Sequence, residues 1–161
     1  MRDTTNHQNR SPRKAEDADA PRLGDVFETA LYTQDLDAVD DFYGRILGLK
    51  KIFSVPKRQL VFECEKGFLL IFDPLQTEKD QIQINGGAIP LHGARGAGHM
   101  AFSAAKRQLE SWRRRLSEAG VPIESEVTWP NGAHSIYFRD PAGNSVELAT
   151  PDMWSNLSVQ S

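Results

Sequence analysis

Over residues 1–23 apolar positions are sparse and follow no period, which predicts a disordered arm. Order is expected to begin near Val26, because the run from Val26 to Thr33 is rich in β-formers and reads as a strand. Asp35 then stands where a side-chain cap opens a helix. Leu36, Val39, Phe42, Tyr43, Ile46 and Leu47 follow at helical spacing. Gly48 suits the left-handed residue that ends such a helix. Segments 51–55, 59–64 and 68–72 read as three short strands, with Lys66 and Gly67 turning between the last two.

From 74 to 97 the pattern changes to scattered apolar residues among Pro74, Gly86, Gly87, Pro90, Gly93 and Gly96, the composition of a crossover. The first plan then returns. A strand over 98–103 precedes a helix with Leu109, Trp112, Leu116 and Ala119 on one face and Gly120 as its stop. Strands are expected over 122–129, 135–139 and 145–150, with the turn Asp140-Pro141-Ala142-Gly143 before the last. The chain thus divides into an arm (1–23), a first module (24–73), a crossover linker (74–97), a second module (98–151) and a tail (152–161). Strand–helix–strand–strand–strand occurs twice, and the spacing from Glu28 to Gly48 matches that from His99 to Gly120 within one residue. Such a duplication predicts a site where the two halves meet.

Strand alternation then selects the candidate chemistry. Glu28, Ala30 and Tyr32 share one face of the first strand. Their counterparts His99, Ala101 and Ser103 share one face of the second module's first strand, and Ser145, Glu147 and Ala149 share one face of the last. The opposite faces are apolar and can bury against the amphipathic helices. Glu28, His99 and Glu147 then line a concave surface, and two carboxylates with one imidazole suit a divalent cation that leaves positions open for water and substrate. By the same parity Ser135, Tyr137 and Arg139 face inward. Tyr137 can donate a hydrogen bond to a substrate oxygen, and Arg139 either holds an anionic substrate group or pairs with Asp140 or another carboxylate near the turn. Tyr32 and Ser103 are pocket-lining candidates. His134 has the wrong parity for a ligand, and His92 lies in the crossover, as a surface histidine or one folded over the cup. Trp112, Phe42 and Tyr43 fit helix–sheet packing, and Trp129 sits in a turn beside the cup mouth.

Composition narrows the partners. With 161 residues, the chain fits one ordinary domain or two small ones sharing a core. A net charge of −3, with both signs interspersed and no basic stripe, argues against nucleic acid. Apolar runs such as 68–72 are too short to cross a bilayer, and the N-terminus lacks the apolar core of a secretory signal. Cys64 is alone, so no internal disulfide forms and a cytoplasmic location is expected. Between Glu63 and Glu65 its thiolate is disfavoured, which makes it structural.

At these residues the sequence resembles the vicinal-oxygen-chelate superfamily of glyoxalases, bleomycin-resistance proteins and extradiol dioxygenases. The run from Glu28 to Leu36, followed by Phe42-Tyr43 and Leu47-Gly48-Leu49, resembles the opening of its first module. Gly98-His99-Met100-Ala101-Phe102 resembles the opening of the second. The run from Tyr137 to Leu148, through Asp140-Pro141-Ala142-Gly143-Asn144, resembles its closing motif. The resemblance covers about Val26 to Pro151 and implies an α+β fold. Two βαβββ modules would form an incompletely closed eight-stranded cup with flanking helices, assembled as a homodimer. It implies one divalent metal ion per site (Zn, Ni, Co, Mn or Fe) held by Glu28, His99 and Glu147, with Glu147 and Tyr137 catalytic.

Departures shape the functional expectation. Glu28 stands where His is frequent in the family, so the two-His, one-carboxylate iron site is not reproduced. The position equivalent to Glu147 in the first module is Leu70 or Ile71, so the fourth ligand of the glyoxalases is missing. Tyr137 matches a substrate-contacting Tyr of the fosfomycin-resistance transferases, but their phosphonate-binding Arg has no match in 151–161. The expected function is a metal-dependent lyase, isomerase or transferase acting on a small oxygenated substrate. The alternative is a non-catalytic dimer that binds a small molecule, like the bleomycin-resistance proteins.

Overall fold

The computed structural model describes residues 21–155, so the expected arm lies outside it except for 21–23, which carry no regular structure. β1 (Glu28–Tyr32) leads into α1 (Leu36–Asp40), whose start is capped as expected: the Asp35 carboxylate accepts from the Ala38 N–H at 3.0 Å. The helix then widens into a π-helical segment, Asp41–Ile46, closed by Leu47 N–H donating to the Phe42 carbonyl at 2.9 Å. The apolar spacing does not separate this wider turn from an ordinary one, because both keep Phe42, Tyr43 and Ile46 on the buried side. β2 (Lys50–Val55), β3 (Gln59–Glu63) and β4 (Phe68–Phe72) complete the first module.

The crossover carries more structure than its composition predicts. It holds a short α2 (Pro74–Thr77) capped by Asp73, then a small hairpin of β5 (Gln83–Ile84) and β6 (Gly87–Ala88). These pieces are too short to leave an apolar period. β7 (His99–Ser103), α3 (Leu109–Glu118), β8 (Ile123–Thr128), β9 (His134–Arg139) and β10 (Ser145–Ala149) form the second module. A 3₁₀ turn, Pro151–Trp154, follows, and its Met153 is buried against Ala133, Ala149 and Trp129.

The two modules make two four-stranded sheets with the same topology, β1-β4-β3-β2 and β7-β10-β9-β8. The first strand of each lies parallel to the last, so β1 and β7 are edges. The registers match as well: Ala30 pairs with Leu70 and Leu70 with Val61, as Ala101 pairs with Glu147 and Glu147 with Tyr137. The chain is therefore α+β, built from two βαβββ modules and not closed into a barrel.

One core serves both modules. Leu31, Phe62, Leu69 and Ile71 of the first sheet, Ile136, Phe138, Val146 and Leu148 of the second, and Val39, Phe42, Tyr43 and Leu116 of the helices form a single buried cluster. The first module's helical segment bridges the halves, since Phe42 packs on Phe138 at 6.2 Å between ring centroids and Tyr43 packs on Phe62 at 5.9 Å. Arg115 of α3 returns the contact, donating to the Arg45 carbonyl at 2.9 Å. Phe138→Ala should therefore unfold both modules together. The expected loss is about 3–5 kcal/mol, seen in denaturant titration as one transition with a lower midpoint and unchanged slope.

Candidate metal centre

Glu147 stands in the middle of β10, paired with Ala101 on one side and Tyr137 on the other. It is 3% exposed, an unusual place for a carboxylate. Two groups reach it: the Tyr137 hydroxyl donates to Oε1 at 3.0 Å, and the His99 Nε2 lies 3.3 Å from Oε2. Among the described residues no Lys or Arg forms an ion pair with it. His99 reaches Glu147 because it shares a face with Ala101, whose methyl group leaves the space between them open. The His99 and Tyr137 rings are stacked 6.4 Å apart. Burial holds the Tyr137 hydroxyl above the usual tyrosine value, with the Glu147 carboxylate adding to the effect. Tyr137 therefore keeps its proton at neutral pH and acts as a donor.

Glu28 stands elsewhere. It is exposed at the start of β1, on the other sheet, and among the described residues no group of three or more His, Cys, Asp and Glu side chains is placed to hold a metal. The convergence of Glu28, His99 and Glu147 expected from strand parity does not occur within one chain. The physical reason is the shared core: both sheets turn their apolar faces to the helices between them, and the β1 and β7 edges do not pair. Glu28 instead borders a groove of about 620 Å³ between these edges, with Ser103 on the opposite rim and Leu49, Met100, Phe102 and Trp112 among its walls. Ser103 is thus in a cavity, although not beside Glu147.

The remaining candidates separate clearly. Arg139 is taken up by Glu124, donating from Nε at 2.7 Å and Nη2 at 3.1 Å, and also reaches the Gly143 carbonyl. Of the two roles open to it, the ion pair is the one observed, with Glu124 rather than Asp140 as partner. Ser135 is buried; its hydroxyl accepts from Trp129 Nε1 at 2.8 Å and lies 3.5 Å from Met153 Sδ. Trp129 is thereby tied into a small secondary core rather than free at a cup mouth. Tyr32 is half-buried, and its hydroxyl meets His92 Nδ1 at 2.9 Å while the His92 ring packs on Phe72. His92 thus straps the crossover onto the first sheet. His134 meets Thr128, away from Glu147. The register identifies Leu70 as the counterpart of Glu147, since Ile71 is in the core.

Sequence reasoning missed the polar partners behind the site. Tyr43, read as packing alone, donates its hydroxyl to Asp140 at 2.9 Å, and Asn144 bonds both Asp140 and Gly98. The one available signal was the Asp140-to-Asn144 turn, whose residue types favour side-chain-to-backbone bonds.

Residues 26–148 match the model of a family described as the Glyoxalase/Bleomycin resistance protein/Dioxygenase superfamily. A lactoylglutathione lyase from Agrobacterium tumefaciens is 39% identical with a TM-score of 0.77, the match covering 84% of this chain and 99% of that one. The fosfomycin resistance protein FosX from Listeria monocytogenes shares the fold, at 20% identity and a TM-score of 0.60, over 80% of this chain and 94% of that one. The metallothiol transferase FosB from Bacillus licheniformis is 33% identical over 60 residues, 37% of this chain. That stretch spans only 39% of the transferase's length.

The Arg139–Glu124 pair gives a direct check on the geometry. The arginine hydrogen bond holds Glu124 below the ordinary carboxylate range. A carboxyl lowered by folding adds stability that is present at neutral pH and lost as pH falls through its folded value. Carboxyl NMR titration should place Glu124 below free glutamate in the parent protein and back in the ordinary range in Arg139→Ala. Because the pair is exposed, the neutral-pH unfolding midpoint should barely move.

Proposed function

Because the chain belongs to the Glyoxalase/Bleomycin resistance protein/Dioxygenase superfamily, we propose that it is a divalent-metal-dependent enzyme of glyoxalase type. Its substrate is a small oxygenated molecule and its reaction a lyase, isomerase or transferase step. One observation carries this reading: the Glu147 carboxylate is buried, touched by His99 and Tyr137, and among the described residues has no Lys or Arg partner. A buried carboxylate without compensating charge is costly. A divalent cation supplies that charge, and an imidazole nitrogen with a carboxylate oxygen is a donor set that Zn, Ni, Co, Mn and Fe accept.

His99 and Glu147 would hold the metal from one copy, and Glu28 of a second copy would complete the set. This assignment follows from the edges. β1 and β7 are unpaired within the chain, and an unpaired edge is a surface for adding a strand from another molecule. Glu28 on one such edge and His99 on the other then meet across a homodimer interface rather than inside a chain. The names of the relatives agree in kind with this reading, one being a lyase and another a metallothiol transferase.

The metal, when bound, supplies a Lewis acid for a substrate oxygen. The chain's own residues do the rest. Tyr137, protonated at neutral pH, donates a hydrogen bond at the site and holds Glu147 Oε1 in place. Glu147 Oε2, on the His99 side, is the oxygen left to serve as a ligand, and the same carboxylate can move a substrate proton only when Oε2 is not so engaged. The groove of about 620 Å³ with largely apolar walls favours a second reading, a non-catalytic small-molecule-binding dimer.

Metal analysis separates the two. The purified protein should carry about one divalent ion per chain, lost in Glu28→Ala, His99→Ala and Glu147→Gln. Co-refolding Glu28→Ala with His99→Ala should restore up to one ion per mixed dimer, because one of its two sites then has every ligand. Full metal binding in Glu28→Ala would remove Glu28 from the set. A metal-free parent protein that binds apolar compounds in the groove would favour the non-catalytic reading.

A further inference from the structure

The side chain of His99 is about half exposed, and Glu147 is its only ion-pair partner among the described residues, so its placement depends on where β7 begins. That start is clamped from two sides. The Asn144 Oδ1 accepts from the Gly98 N–H at 2.7 Å, and the Ser145 N–H donates to the Gly98 carbonyl at 2.9 Å. The approach is close: a Cβ at position 98 would stand 3.2 Å from Asn144 Oδ1 and 2.9 Å from Leu31 Cδ2, so those side chains would have to shift to admit one.

Asn144 is itself held by a buried network. Its Nδ2 donates to Asp140 Oδ2 at 2.8 Å and its backbone N–H to Asp140 Oδ1 at 2.8 Å. Tyr43, from the first module's helical segment, donates to the same Oδ2 at 2.9 Å. Tyr43, Asn144 and Asp140 are 0%, 2% and 4% exposed, so none of these bonds competes with bulk water. We propose that Asn144, anchored by Asp140 and Tyr43, is a positioning residue for His99. It fixes the Gly98 peptide against β10, so that the imidazole lies on the Glu147 carboxylate. The first module's helix thereby sets the geometry of a ligand pair carried by the second. This inference rests on the metal-centre reading for its consequence, but its structural content concerns the metal-free protein.

The test uses the full-length protein, with Co(II) as the probe and histidine side-chain ¹H–¹⁵N NMR as a metal-free readout. Asn144→Ala should weaken Co(II) binding about 10- to 100-fold, the usual cost of losing a supporting hydrogen bond behind a ligand. It should also displace the His99 imidazole resonances without metal. Tyr43→Phe keeps the packing, removes one donor from Asp140, and should move both readouts in the same direction by less; it carries the test if Asn144→Ala does not fold. A lower unfolding midpoint with Co(II) affinity and His99 resonances unchanged would reduce the network to a purely structural role and overturn the proposal. If the parent protein takes up no Co(II), the metal reading fails, and the His99 resonances alone decide: displaced in the variants, the positioning role stands; unmoved, it falls.

Discussion

The Asp140 carboxylate is buried where the two modules meet, and it is saturated. Oδ1 accepts from the backbone N–H groups of Ala142 and Asn144, and Oδ2 accepts from the Tyr43 hydroxyl and the Asn144 amide. Four donors for four acceptor positions let the carboxylate sit in the interior with no ion pair among the described residues. Burial, and after it the Asp140 charge, push the Tyr43 hydroxyl far above the usual tyrosine range, so that donor does not ionise. The joint between the modules is thus a directional contact laid over a shared apolar core. The core makes the two halves adhere, and the hydrogen bonds select one relative placement.

Glu147 shows the contrast. It is as deeply buried as Asp140, yet among the described residues only the Tyr137 hydroxyl donates to it and only His99 forms an ion pair with it. A carboxylate with all its acceptor positions filled is structural; one with capacity left and an imidazole beside it can take a further partner. The two acidic groups lie seven positions apart in one hairpin, Asp140 in its turn and Glu147 in its second strand. Their different roles come from neighbours, since Asp140 sits in a turn ringed by N–H groups and Glu147 in a strand whose backbone donors serve the sheet.

The duplicated architecture is also divided in character. The positions of His99, Glu147 and Tyr137 in the second sheet correspond by register to Glu28, Leu70 and Val61 in the first. The fold repeats, but one half carries the polar set and the other offers a single carboxylate among apolar neighbours.

Much of this was legible along the chain. Strand alternation and helical spacing located β1, the helix of each module and the seven later strands of the modules, because each element hides one face and exposes the other. The repeat, and the faces on which His99 and Glu147 stand, followed from the same parity. The wider turn in the first helical segment, the short pieces of the crossover and the capture of Arg139 by Glu124 left no such trace, since local periodicity carries no information on which distant side chains meet. What the sequence determined alone was the set of faces: which residues share a side of each strand. Which faces confront each other was decided only by tertiary packing, because burying both apolar faces on common helices leaves the β1 and β7 edges unpaired, and Glu28 does not join His99 and Glu147 in one cluster within the chain.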